Sequence, residues 1–160
     1  MRIECIDIAR EIGAVGELIR LAFSEVADRW GFTRANSPGF TAFASDEQLL
    51  AQLVHAKTRC FGIRQAGKFA GFVAVAPYED EWVITRLAVR LEFQHRGYGR
   101  ALVDAVCDAA REMGLSEIGL GVVNENAVLK RWYEAQGFVA DEIDSVPGAA
   151  YTACAMSKKL

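Results

Sequence analysis

Gln94, His95, Arg96, Gly97, Tyr98, Gly99 and Arg100 stand in one run between a β-rich segment and the start of a segment with helical periodicity. A helix N-terminus offers unpaired N–H groups at the positive end of its dipole, and glycine lets an anion reach that backbone without meeting a Cβ. The run therefore suits a phosphate-bearing ligand or, since G-x-G is short and common, a plain strand-to-helix turn. Two well-known phosphate loops do not fit. The dinucleotide-binding fingerprint asks for a third Gly or Ala where Leu102 stands, and Walker A asks for Gly-Lys-Ser/Thr. Some other phosphate-containing ligand is expected.

The elements that must hold this run are read from periodicity. Residues 2–8 alternate imperfectly and suit a first strand, after which Val15, Leu18, Ile19, Ala22 and Val26 recur at helical spacing. Ser45 and Gln48 form a capping box ahead of Leu49, Leu50, Leu53 and Val54, which marks a second helix. Residues 31–44 between these helices carry no period, and loops of that length are often functional. Arg59–Gln65 and residues 68–77 read as a hairpin around Ala66 and Gly67, and Glu81–Val89 follows as the third strand of a meander. Leu102, Ala105, Val106, Ala109 and Met113 form the apolar stripe of a helix, opposite Arg100, Asp104, Asp108 and Arg111 and ended by Gly114. Glu117–Val123 is a buried-looking strand, residues 126–136 a helix stopped by Gly137, and residues 138–143 and 151–157 closing strands around Ser145, Val146, Pro147 and Gly148. The class is mixed α/β in the α+β sense. A mostly antiparallel sheet of about seven strands with about four helices is expected, with its one parallel pair and right-handed crossover inside residues 81–123.

With Leu87, Ala88 and Val89 ahead of it, the run resembles the acetyl-CoA loop of the GNAT superfamily of acyl-CoA-dependent N-acetyltransferases, Q/R-x-x-G-x-G/A, in Gln94, Gly97 and Gly99. A second signature of that superfamily, Asn followed seven residues later by Tyr and then x-x-x-G-F, is met by Asn126, Tyr133, Gly137 and Phe138. The closing Met156, Ser157, Lys158, Lys159 and Leu160 are similar to its last strand. The resemblance covers roughly residues 3–160 and is densest over residues 85–138. Leu91 stands where Pro is frequent, Leu129 where a small Ala is usual, and His95 where Arg is frequent. None of these touches a loop glycine, and Arg96 and Arg100 still flank the site.

The resemblance implies a single domain over residues 1–160 that carries an acetyl group from acetyl-CoA to a primary amine by direct attack in a ternary complex. It implies splayed central strands, Glu81–Val89 and Glu117–Val123, with pantetheine lying between them and meeting main-chain groups of Leu87 and Val89. By the same resemblance the backbone of His95, Arg96, Gly97, Tyr98, Gly99, Arg100 and Ala101 holds the pyrophosphate, and Asn126 bonds the cofactor arm. Tyr133 is the expected proton donor to the departing sulfur, set against its reading as a half-buried helix aromatic beside Trp132.

Aminolysis of a thioester needs a neutral amine, and deprotonating a lysine-like amine of pKa ~10.4 at neutral pH costs about 4.6 kcal/mol, so a nearby carboxylate is valuable. Glu81 is the candidate base because it shares side-chain parity with Val83, Thr85 and Leu87 on a regular strand; it also reads as a solvated charge at a strand start. Glu79, Asp80 and Asp141 compete with it. Relatives admit the acceptor over the first two helices and the last interstrand loop, here residues 23–43 and 144–150. Trp30, Phe32, Phe40 and Phe43 are the expected lining, with Glu25, Asp28, Glu79 and Asp144 to attract a cation. Small amines, antibiotics and peptide or protein amines all fit, and a homodimer is left open. The alternative function is a non-catalytic acyl-CoA-binding or sensory module on the same fold. Tyr133 favours the enzyme, since a pure binder has no use for a proton donor at the sulfur.

Composition closes off other classes. A chain of 160 residues with 52% hydrophobic and 24% charged residues fits one folded domain rather than a disordered segment. With 18 basic against 21 acidic residues it offers no overall field for a polyanion, so no nucleic-acid partner is expected. Residues 1–8 already carry Arg2, Glu4 and Asp7, and no apolar stretch approaches ~18 residues, so a cytoplasmic protein without a membrane partner is expected. Cys5, Cys60, Cys107 and Cys154 are scattered without C-x-x-C spacing and read as reduced core residues, with no metal. Neither Cys107 nor Cys154 has a nearby His and acid, which disfavours an acyl-cysteine route. His55 reads as a surface residue on the second helix.

Overall fold

In the computed structural model, which describes residues 1–55 and 57–160, the first strand is shorter than its alternation implies: β1 spans Ile3–Cys5. Ile8 already lies on the helical stripe with Val15 and Ile19, and all three are buried, so α1 (Ile8–Trp30) starts behind Asp7. It ends at Gly31, whose φ of +69° is a left-handed cap. Both bonds of the expected capping box open α2 (Asp46–Leu53): the Gln48 N–H donates to Ser45 Oγ at 3.2 Å and the Ser45 N–H to Gln48 Oε1 at 2.9 Å. This helix stops at Leu53, so His55 is exposed just beyond it rather than on it. Residues 31–44 lack a period because an aromatic cluster orders them. Phe32 and Phe40 pack with Phe23, Phe43 and Tyr151 around a single 3-10 turn at Thr41–Phe43.

The remaining strands are β2 (Arg59–Gln65), β3 (Lys68–Tyr78), β4 (Glu81–Val89), β5 (Glu117–Val123), β6 (Val139–Ser145) and β7 (Thr152–Lys159). They form one seven-stranded sheet in the order β1-β2-β3-β4-β5-β7-β6, antiparallel throughout except for β4 and β5. That parallel pair is connected through α3 (Tyr98–Glu112), as a crossover requires. On one face, Val15, Leu18 and Ile19 of α1 with Leu49 and Leu53 of α2 bury Phe72, Ala74 and Ala88; on the other, Leu102, Val103, Val106 and Ala110 of α3 bury Val73, Val75, Ile84 and Leu120. Covered on both faces, β3 reads as an unbroken apolar run. Helix α4 (Ala127–Glu134) is shorter than expected because Asn126 caps it instead of joining it.

Two irregularities in β4 shape the cleft. Among the described residues β4 pairs with β5 at Val83↔Gly119 and Ile84↔Leu120 and no further, which is the expected splay. The ladder with β3 jumps from Ala74↔Thr85 to Phe72↔Ala88, so Arg86 and Leu87 together oppose Val73, and Arg86 takes a left-handed φ of +56°. This is a β-bulge. It corrects the parity assigned to Glu81: that residue stays in phase with Val83 and Thr85, whereas Leu87 is turned to the α3 side and packs with that core.

Of the cysteines, Cys60, Cys107 and Cys154 are buried and free as expected, but Cys5 is exposed because β1 is a short edge strand. Burial pushes the Cys60 thiol up to about 11 and raises that of Cys107, which keeps both protonated and unreactive near neutral pH. Among the described residues no helix is long and apolar enough to cross a membrane.

Candidate active site

The expected phosphate loop is a doubly kinked turn. Gln94 ties it to the end of β4 by donating from Nε2 to the Val89 carbonyl at 3.2 Å. His95 at φ +56° and Gly97 at φ +84° then redirect the chain into α3. Gly97 is the N-cap of that helix, no side chain caps it, and its first turn holds no acidic residue. The first intrahelical donor is the Ala101 N–H, bonded to the Gly97 carbonyl at 3.0 Å, so the N–H groups of Tyr98, Gly99 and Arg100 are left for an outside acceptor. His95, Arg96 and Arg100 are exposed around them. Dipole, free donors and cations therefore converge on one place that suits an anion.

The two glycines serve different ends. At Gly97 a Cβ would meet nothing within 4 Å, so what matters there is the left-handed backbone and the open space above it. At Gly99 a Cβ would lie 3.2 Å from Trp132 Cζ2 and 3.3 Å from Cη2, so glycine permits α3 to close on α4. Gly99→Val is accordingly expected to lower thermal stability with or without ligand, by the ~1–3 kcal/mol typical of overpacking, read in a thermal melt. An unchanged melt would show that Trp132 swings aside freely.

Where β4 and β5 diverge, a cavity of about 1070 Å³ opens. It brings together Glu81 and Leu87 of β4, Asn126, and Tyr133 of α4. Val89 and the loop from Gln94 to Ala101 do not line it; they lie past the end of β4, at the mouth of α3. Tyr133 is buried, not half-buried, with its ring edge-on to Trp132 at 4.8 Å and to Phe138 at 5.5 Å. Burial drives its phenol well above the ordinary tyrosine range, and among the described residues no protein group hydrogen-bonds its hydroxyl. The Asn126 side chain spends its oxygen on the α4 cap, accepting from the Leu129 N–H at 3.1 Å, which leaves its amide N–H groups free to donate.

Glu81 is exposed at the paired end of the cleft, with Oε2 3.6 Å from where a Cβ on Gly119 of β5 would stand. Asp80, Asp141 and Asp144 line the same cavity, whereas Glu79 does not. Neither do Glu25, paired with Arg29 at 3.5 Å, nor Asp28. Of the four aromatics expected at the acceptor end only Phe40 reaches the cavity wall; Phe32 and Phe43 pack behind it and Trp30 is surface-exposed. Phe23, at the start of the expected acceptor segment, does line it, and so do Tyr151 and Arg86, which sequence reasoning missed. For Arg86 a signal existed: a lone cation between Thr85 and Leu87 in an otherwise apolar stretch.

An uncapped helix mouth next to two diverging parallel strands is the arrangement of a GNAT fold, and the comparisons agree. Residues 28–138 match the acetyltransferase (GNAT) family model, and the chain belongs to that family. The [ribosomal protein bS18]-alanine N-acetyltransferase of Escherichia coli (strain K12) is 31% identical over 97 residues, 61% of this chain and 66% of that protein, so the chain spans just under two thirds of that curated relative. The crystal structure of the ribosomal-protein-S18-alanine N-acetyltransferase from Escherichia coli superposes with a TM-score of 0.75 at 21% identity, covering 99% of this chain and 92% of that one. The PaiA N-acetyltransferase from Thermoplasma acidophilum in complex with coenzyme A gives a TM-score of 0.75 at 19% identity, with both chains covered completely (100% and 100%). At these identities the two structures establish the shared fold.

Proposed function

We propose that residues 1–160 act as one acyltransferase domain that moves the acetyl group of acetyl-CoA to a primary amine by direct attack in a ternary complex. The observation that carries this reading is Tyr133, a buried phenol without a protein partner, set in the same cavity as β4 residues released from β5. The α3 mouth, from Gly97 to Ala101, holds the pyrophosphate, with His95, Arg96 and Arg100 adding charge. Pantetheine follows the backbone of residues 85–89, which has no β5 partner among the described residues, and meets main-chain groups of Leu87 and Val89; the Val89 carbonyl already accepts from Gln94. Asn126 donates to the cofactor arm from its amide.

The neutral amine adds to the thioester carbonyl, the C–S bond breaks as the tetrahedral adduct collapses, and the thiolate takes the Tyr133 proton. The proton released by the amine passes to Glu81, directly or through water. Initial rates of amine-dependent thiol release test the order of events: intersecting double-reciprocal lines are expected, and parallel lines would require an acyl-enzyme instead. Glu81→Gln is expected to slow acetylation most below the pKa of the amine and to recover as pH rises, because the lost function is amine deprotonation. A pH profile parallel to that of the unaltered protein would pass the role to Asp80 or Asp141.

A further inference from the structure

Arginines elsewhere in this fold that are partly withdrawn from water have an acid beside them. Arg20 meets Asp46 at 2.7 Å, Arg64 meets Glu4 and Glu11, and Arg90 meets Glu17 at 3.3 Å. Arg86 has none among the described residues. Its guanidinium donates to two neutral oxygens, Thr85 Oγ1 at 3.3 Å and Gln52 Oε1, and its Nε is buried without a partner. Burial is strong enough to lower its pKa. A half-buried guanidinium whose buried Nε lacks a partner is costly to leave without an acceptor. The bulge that sets this side chain in the cavity wall also holds its backbone at a left-handed φ of +56°, a conformation disfavoured for a residue with a Cβ.

Acids in the same wall show the opposite imbalance. Asp80, Glu81, Asp141 and Asp144 line the cavity, and none forms an ion pair among the described residues. The rings of Phe23, Phe40 and Tyr151 line the same cavity and pack on one another. One unpaired cation, unpaired acids and an apolar wall complement a small zwitterion with an apolar body. We propose that the acceptor is an α-amino acid, its carboxylate held by Arg86 while its ammonium is drawn to the acidic side; this rests on the acetyl-transfer reading above. Arg86 is then a specificity-determining residue. A neutral amide in place of the carboxylate leaves the guanidinium unpaired again, and the penalty for a charge-assisted hydrogen bond corresponds to about 10- to 100-fold in kcat/KM.

Alanine, phenylalanine and lysine, each paired with its α-carboxamide, are the probes. Two readouts separate the inference from its premise: thiol release from acetyl-CoA, and calorimetric binding of each probe to protein saturated with coenzyme A, which cannot react. At least one acid is expected to outperform its amide by about 10-fold or more, although the amide's amine is the more easily deprotonated. Arg86→Gln should erase that ratio and Arg86→Lys retain part of it. Equal use of acid and amide, binding of none of the probes, or a ratio untouched in Arg86→Gln would overturn the proposal. Binding that prefers the acid through Arg86, without thiol release, would keep the α-amino-acid site but overturn its role as the acetyl acceptor. Should Arg86→Gln fail to fold, the acid-to-amide ratio in the unaltered protein and in Arg86→Lys decides.

Discussion

Gly97→Val is expected to abolish the thermal stabilisation that acetyl-CoA confers on this protein. A ligand at ~100 times its dissociation constant adds about 2.7 kcal/mol to the native state, which for a domain of this size raises the melting temperature by roughly 5–10 °C. Two effects of the substitution are separable because of the local geometry. The backbone at φ +84° strains any β-branched residue, which lowers the melt of the free protein by something like 1–2 kcal/mol. Among the described residues no neighbour lies within 4 Å of the new Cβ, so the substitution starts from open space. The branched side chain instead crowds the free N–H groups of α3, where the proposed reading puts the pyrophosphate. Melting with and without acetyl-CoA distinguishes the two; a ligand-induced shift of unaltered size would remove this loop from cofactor binding. Gly99→Val, by contrast, acts through Trp132.

Tyr133→Phe should bind acetyl-CoA as before and turn over about 10²-fold more slowly, the low end of what a general acid contributes. The low end follows from burial. A phenol pushed above its ordinary range is a reluctant donor to a thiolate whose conjugate acid, at ~8.5, is already a fair leaving group. Stability should not fall. The hydroxyl has no protein partner to lose among the described residues, and the ring still packs against Trp132 and Phe138. A variant that melts no lower, binds the cofactor and works slowly places the hydroxyl in the chemistry. Equal turnover would remove Tyr133 from the mechanism, and lost binding would make it a contact residue.

Features encoded within a few residues were legible in the sequence. The Ser45 and Gln48 capping box, the helix-ending glycines at 114 and 137, and the α3 stripe each follow from local backbone geometry or one helical face, and each is present. The splay of β4 from β5 was reached through family resemblance, since Glu117–Val123 looks like any buried strand and nothing in it says where pairing stops. The bulge was invisible for a related reason. Thr85, Arg86 and Leu87 have no glycine to announce a left-handed residue, and the extra residue is defined only against Val73 on the neighbouring strand. Parity counted along β4 therefore carried Glu81 onto the wrong side relative to Leu87, and it hid Arg86. The acceptor wall failed in the same way: Tyr151 reaches Phe32 and Phe40 only once the loop after β6 meets residues 31–44, where the Ala150 N–H donates to Ser37 Oγ, with ring centroids 4.9 Å and 5.6 Å apart.

Acetyl-CoA labelled in its acetyl group, incubated with the protein and an amine acceptor, tests the central claim most directly. Free thiol and labelled N-acetyl product should appear in a one-to-one ratio, only when the amine is present, and with no label left on the protein. Thermal stabilisation by acetyl-CoA without amine-dependent thiol release across every class of acceptor would contradict it, and the fold would then serve as an acyl-CoA-binding module.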